Sequence, residues 1–232
     1  MHRVRVRVVE DALDANNTIA QANRADFDRA GVTVVNLMSA PGAGKTTLLE
    51  RVLGPGLGSV RAGVLEGDVA GSLDADRLAH LHIPVVQLNT DAGFGGECHL
   101  DANMVRSALP ALDLDELDLL IVENVGNLVC PASWDIGEDA KVVLLSVTEG
   151  EDKPEKYPKI FRESDYAVIT KMDLLPYVPF NVAKAVGFMR DANPFIRVFY
   201  TSATTGEGMD EWLDFLRDTA RRGSSITKVA RR

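Results

Sequence analysis

The sequence is short of several things. It holds two cysteines in 232 residues, which excludes a disulfide framework and points to a reduced, cytoplasmic protein. No apolar run approaches the roughly 18 residues of a membrane span, and the N-terminal alternation of basic and apolar residues is not the apolar block of a signal peptide. Aromatics are sparse at 6%, and there are four histidines. Basic residues are outnumbered by acidic ones and the formal net charge is −9, which argues against nucleic acid as a partner, because phosphate-backbone affinity rests on Lys and Arg. What remains is ordinary globular composition, 46% hydrophobic and 25% charged, in a length suited to one large domain.

The pattern alternates apolar runs with amphipathic stretches, as in α/β proteins with a mainly parallel sheet flanked by helices. Residues 10–30 read as a helix stopped at Gly31, and residues 32–38 as a buried strand. Further strands are expected over Val60–Glu66, Ile83–Leu88, Leu117–Glu123, Lys141–Val147, Tyr166–Thr170 and Ile196–Tyr200. Helices are expected from Lys45 and over 73–81, 100–109, 181–192 and 208–221. This divides the chain into an N-terminal strand/helical arm (1–31), a nucleotide domain (32–221) and a basic tail (222–232) without a periodic face, expected to be loose.

The first chemical signal follows the strand at 32–38. Ser39-Ala-Pro-Gly-Ala-Gly-Lys45-Thr46 fits the phosphate-loop pattern G-x-x-x-x-G-K-S/T, with Ser39 in place of the first glycine. Gly42, Ala43 and Gly44 bring backbone N–H groups round phosphate oxygens. The helix N-terminus at Lys45, Thr46 and Thr47 adds its dipole, Lys45 reaches the β/γ-phosphates, and the Thr46 hydroxyl suits Mg²⁺. Carboxylates for metal and water are expected at strand ends, and Asp68 and Glu123 are the candidates. Glu123-x-x-Gly126 resembles the D-x-x-G switch of GTPases, with Gly126 placed to sense a γ-phosphate. Thr170-Lys171-Met-Asp173 resembles the guanine motif N-K-x-D, in which Asp173 accepts from the base and the Lys171 stem stacks on it. Thr170 in place of Asn removes an amide that ties the base loop to the phosphate loop. Thr201-Ser202-Ala203-Thr204 resembles the second guanine loop, with the Ala203 N–H facing the base oxygen.

The two cysteines lie beside this machinery. Cys98 precedes His99, and Cys130 lies four residues beyond Gly126. Thiolate with imidazole suits Zn²⁺ or Ni²⁺. Adjacent side chains diverge on extended backbone, so Cys98 and His99 serve one ion only on a turn or a helix start. Three donors leave a tetrahedral ion one ligand short, which a two-fold axis near Cys130 would remedy. His80 and His82 read as surface residues.

With these residues in place, the chain resembles the HypB-type GTPases that insert nickel into nickel–iron hydrogenase. The resemblance runs over about residues 11–220, through NLMSAPGAGKTTLLE, VLEGD, DADR, CHLDANMV, ENVGNLVCPASWDIGE, SVTEGEDKPEKYP, TKMDLLPY and SATTGEGMDEWL. It implies a slow GTPase that cycles between GTP and GDP, dimerises with GTP and works with other hydrogenase maturation proteins and the hydrogenase large subunit. It implies Lys45 and Thr46 on phosphates and Mg²⁺, Asp68 and Glu123 near Mg²⁺ and water, Lys171 and Asp173 on guanine, and Cys98, His99 and Cys130 on Ni²⁺ or Zn²⁺. Residues 1–31 hold neither the Cys-rich nor the His-rich stretch of many relatives, and Val69-Ala70 replace polar residues after Asp68. The competing readings are a urease-type nickel GTPase, a nucleotide-gated metal scaffold with negligible turnover, and a phosphate-loop kinase.

Overall fold

The computed structural model describes residues 8–68, 77, 78, 80–90 and 98–230, with side chains described outside 8–12, 55 and 222–230. Residues 1–7, Val69, Ala70 and most of the helix expected over 73–81 lie outside the described residues. The strands are β1 (Thr33–Ser39), β2 (Ala62–Asp68), β3 (Val85–Asn89), β4 (Leu119–Glu123), β5 (Ala140–Ser146), β6 (Tyr166–Thr170) and β7 (Arg197–Tyr200). The helices are α1 (Val8–Ala30), α2 (Lys45–Leu53), α3 (Ala102–Ala108), α4 (Lys153–Lys156), α5 (Pro158–Arg162), α6 (Val182–Ala192) and α7 (Met209–Ala230). Short 3-10 turns join several of them.

All strands are parallel and run in the order β3-β2-β4-β1-β5-β6-β7. The chain builds one side of β1 with β2, β3 and β4, then crosses to β5 on the other. That reversal opens a crevice at the carboxyl end of β1, where open α/β sheets bind ligands. Successive side chains of a strand face opposite sides, and the core divides accordingly. Val35 and Leu37 pack under α2 and α7 with Phe199 and Trp212. On the opposite face, Val34 joins a cluster with Phe27, Leu65 and Leu100, and Met38 joins one with Ile160, Phe161 and Met189.

Gly31 ends α1 as its position suggested. Its φ is 76°, and its N–H donates to the Phe27 carbonyl at 2.9 Å, a left-handed helix stop. The tail departs from expectation. Rather than leaving helical geometry at residue 221, the backbone of α7 stays helical to Ala230. Extending a formed helix needs one hydrogen bond per added residue and no fresh nucleation, so a segment without its own apolar face can continue one. Among the described residues, no helix is long and apolar enough to cross a membrane.

Candidate functional site

Three loops meet at the carboxyl end of β1. In the first, Gly42 and Gly44 take φ values of 75° and 96°, left-handed geometry that turns the backbone into a cradle ahead of α2. Ser39, where the pattern has glycine, is fully buried and its hydroxyl accepts from Lys45 Nζ at 3.1 Å. The Thr46 hydroxyl donates to Glu123 Oε1 at 3.0 Å, so the first residue pair expected around Mg²⁺ is already in contact. A cavity of about 300 Å³ opens here, lined by Gly42, Gly44, Lys45, Thr46, Thr47, Arg77, Glu123 and Lys171. Three cations around one hollow suit a polyphosphate, and an oxygen donor set of hydroxyl and carboxylate suits Mg²⁺.

Asp68 does not line this cavity among the described residues. Pairing of β2 with β4 ends at Glu66 opposite Glu123, so Asp68 lies past the register, one strand further from β1. The buried carboxyl opposite Glu123 is that of Glu66, two residues before the strand end at which Asp68 was expected to serve. Arg77 was also missed, although it closes the DADR run. Its guanidinium donates to both Glu50 oxygens, at 3.1 and 2.6 Å, and to Thr47 Oγ1 at 3.0 Å.

The second loop follows β6. Lys171 has a left-handed φ of 59°, and its Nζ donates to the Gly42 carbonyl at 2.8 Å, which lays its stem along the phosphate loop. The Thr170 hydroxyl donates to the Ala43 carbonyl at 2.6 Å. The expected loss of the tie between the two loops is therefore corrected: a hydroxyl on a strand end that passes this close makes the bond without a longer amide. Asp173 Oδ1 accepts from Ser202 Oγ at 2.6 Å, and that Oγ accepts from Thr205 N at 3.1 Å. A second cavity, about 270 Å³, is lined by Gly44, Thr47, Leu48, Thr170, Lys171, Asp173, Leu174, Thr201, Ala203 and Thr204. Ala203 thus faces the cavity, while Ser202 holds the Asp173 carboxylate from behind. Gly44, Thr47 and Lys171 border both cavities, so the two adjoin along the phosphate loop.

The third loop leaves β4. A Cβ on Gly126 would stand 3.0 Å from Pro41 Cα, so this loop lies tightly against the phosphate loop and a larger residue would have to push it back by a few tenths of an ångström. Beyond it, the side-chain donors of Cys98, His99 and Cys130 all lie within 4.8 Å of one another. The adjacency of Cys98 and His99 is resolved by a bend, followed at once by the start of α3, where Asp101 caps Met104 N at 2.7 Å. Cys98 Sγ and His99 Nδ1 are 3.9 Å apart. Cys130 is set by Asn127, whose Oδ1 accepts from Val129 N at 2.7 Å and from Cys130 N at 3.3 Å. The buried His99 ring stacks on Trp134, centroids 4.6 Å apart at 27°. His80 and His82 are exposed, as expected.

A model of the CobW/HypB/UreG nucleotide-binding domain matches residues 33–199, a span that holds all three loops. The hydrogenase maturation factor HypB of Escherichia coli is 50% identical over 206 residues, covering 89% of this chain and 70% of that protein. The HypB of Helicobacter pylori, solved in complex with nickel, superposes with a TM-score of 0.84 at 34% identity, over 90% of this chain and 97% of that one. The hydrogenase maturation factor HypB of Archaeoglobus fulgidus gives a TM-score of 0.81 at 39% identity, over 89% and 99% of the two chains.

Proposed function

The chain belongs to the HypB branch of the CobW/HypB/UreG nucleotide-binding family, and from that premise we propose that it is a GTP-binding, GTP-hydrolysing metallochaperone that delivers nickel during maturation of nickel–iron hydrogenase. The observation that carries this reading is the gathering of Cys98 and His99, just ahead of α3, with Cys130, which lies on the loop that continues from the phosphate-facing end of β4. A kinase has no use for a thiolate–imidazole site there.

In this reading guanine occupies the cavity of Asp173, Lys171 and Ala203. The Asp173 carboxylate, oriented by Ser202, accepts from the base N–H groups that adenine lacks, so adenine would leave a desolvated carboxylate unpaired. Lys45 leaves Ser39 for the β/γ-phosphates, while the Gly42–Thr47 amides cradle the chain. Thr46 and Glu123 would hold Mg²⁺, which when bound neutralises charge on the phosphate oxygens. Gly126 receives the γ-phosphate. Turnover is slow in this reading, with catalysis supplied by positioning and charge stabilisation. Ni²⁺ is the cargo, with Zn²⁺ a competitor for the same soft and borderline donors. Three donors per chain favour a site at a GTP-stabilised dimer axis near Cys130, and recipients among the maturation proteins and the hydrogenase large subunit. By linkage, GTP and GDP states then hold metal with different affinity.

The test is phosphate release from saturating GTP together with Ni²⁺ titration and solution mass, in the parent and in Lys45→Ala and Cys130→Ala. Lys45→Ala should lower hydrolysis by about a hundredfold or more and keep the metal. Cys130→Ala should lose nickel affinity. A parent that releases no phosphate at saturating GTP is a metal scaffold, and full nickel binding by Cys130→Ala places the site elsewhere.

A further inference from the structure

Four asparagines stand in the interior around the metal-ligand loop: Asn16, Asn23, Asn36 and Asn124 are each no more than 5% exposed. A buried amide needs partners for its oxygen and its NH₂, so each marks a place where the fold is pinned.

Asn16 and Asn23 come from α1. Asn16 Oδ1 accepts from Ala102 N at 2.9 Å, and its Nδ2 donates to the Asp135 carbonyl at 2.8 Å. Asn23 Nδ2 donates to the carbonyls of Ala102 at 2.9 Å and Ile136 at 3.2 Å. The two therefore bracket both metal-ligand segments, the one after His99 and the one after Cys130, from a helix that takes no part in the nucleotide groove.

Asn124 differs in where it starts. It directly follows Glu123, the partner of Thr46, and its own N–H donates to the Leu37 carbonyl of β1 at 2.9 Å. Its Oδ1 accepts from Leu100 N at 2.9 Å and from Val125 N at 3.0 Å, and its Nδ2 donates to Asn36 Oδ1 at 3.2 Å. The Leu100 N–H can only donate, which fixes the amide's orientation. Leu100 is the residue after His99. One side chain thus joins the strand end that faces the phosphate cavity to the backbone of a metal ligand, and Cys130 lies further along the same loop.

We propose that Asn124 is the positioning residue through which nucleotide state reaches the metal ligands, while Asn16 and Asn23 form a static bracket. The proposal rests on the reading above, in which Thr46, Glu123 and Gly126 meet Mg²⁺ and γ-phosphate. Ion binding replaces the Thr46–Glu123 bond, and the resulting shift at Glu123 is carried by a short, two-torsion amide onto Leu100. At 1% exposure no water can substitute for the lost acceptor, so Leu100 follows Asn124 rather than parting from it. His99 then moves against Cys98 and Cys130.

The experiment is Ni²⁺ titration of the full chain loaded with GDP or with a slowly hydrolysed GTP analogue, in the parent and in Asn124→Ala, Asn16→Ala and Asn23→Ala. The readout is the ratio of the two nickel dissociation constants. In the parent it should fall in the range of ordinary couplings, about 5- to 150-fold. Asn124→Ala should bring it close to one. Asn16→Ala and Asn23→Ala should weaken nickel in both nucleotide states by a common factor and keep the parent ratio; a ratio that collapses alike in all three variants marks a general loosening of the loop and overturns the proposal. A parent ratio of one removes the nucleotide–metal coupling itself, and the proposal with it. A parent ratio that Asn124→Ala retains overturns the proposal alone. Should Asn124→Ala not fold, hydrogen exchange in the parent decides: the Leu100 amide should change its protection between the two nucleotide states more than the Ala102 amide. Equal rates at Leu100 in both states overturn the proposal.

Discussion

Thr170 donates its hydroxyl to the Ala43 carbonyl at 2.6 Å, so the strand end beneath the base cavity is bonded to the middle of the phosphate loop. Both residues are buried. Thr170→Val keeps the shape of the side chain and leaves the Ala43 oxygen without its donor, which costs about 1–3 kcal/mol. The expected result is a fall in Tm of about 2–12 °C, given a shift of about 2–4 °C per kcal/mol for a domain of this size. GTP and GDP should weaken together, since the tie lies on the base side of the γ-phosphate. Thermal unfolding with competition binding checks both. Loss confined to GTP would place the tie's influence on the switch loop.

Asp173 bears on base choice. Its carboxylate is oriented by Ser202 at 2.6 Å, and Asp173→Asn keeps that bond through the amide oxygen while changing what faces the base. Losing a charge-assisted pair to guanine costs roughly 1.5–3 kcal/mol, or about ten- to hundredfold in affinity. Xanthosine triphosphate, with a carbonyl in place of the 2-amino group, should bind the variant better than the parent. Unchanged guanine preference in competition binding would point to another base loop.

Most of the sheet was legible because burial on both faces leaves continuous apolar runs, as in VTVVNLM before the phosphate loop, and because Gly31 and the loop glycines punctuate them. Strand bounds shifted by a residue or two, where apolar residues flank the paired segment. Four things were not legible. The α7 backbone runs on through the basic tail because helix extension asks little of side chains. Asn16 and Asn23 share a helix face with Ala20 and Phe27, and sequence spacing cannot tell a buried amide from a solvated one. Glu66 and Asp68 are equivalent carboxylates in VLEGD until the β2–β4 register separates them. Thr170 looked like a deficit because a motif records residue types and not the distance across which a hydroxyl must reach.

The pH dependence of stability should carry the mark of Glu149. Its Oε1 accepts from Ser146 N at 3.0 Å, and its buried Oε2 has no hydrogen-bond partner among the described residues. Burial raises this carboxyl above its ordinary value of 4.5, against the opposing pull of the Ser146 N–H and of Lys153, Lys171 and Lys45. A raised carboxyl favours folding while protonated, and that contribution is lost as pH rises from the ordinary value through the raised one. Glu149→Gln removes the titration. Its Tm should equal or trail the parent's in acid and exceed it at neutral pH, the gap opening as pH climbs above 4.5. A constant gap across the range would mean that the carboxyl titrates normally.

Trp134 gives the metal site an optical handle. The chain has two tryptophans. Trp212 is buried against Phe199 and Phe215 in the core beneath α7, whereas Trp134 lies on His99. Nickel at the Cys98–His99–Cys130 cluster would sit within one ring of the Trp134 indole and quench its emission, leaving Trp212 unchanged. The stack also holds the imidazole in its ligating orientation, and such pairs contribute about 0.5–1.5 kcal/mol. Trp134→Leu should therefore abolish the nickel-dependent fluorescence change and weaken nickel roughly two- to tenfold. Binding in the variant is followed by equilibrium dialysis, since its optical signal is gone. If the fluorescence change survives Trp134→Leu, the ion lies near Trp212, and His99 is not its ligand.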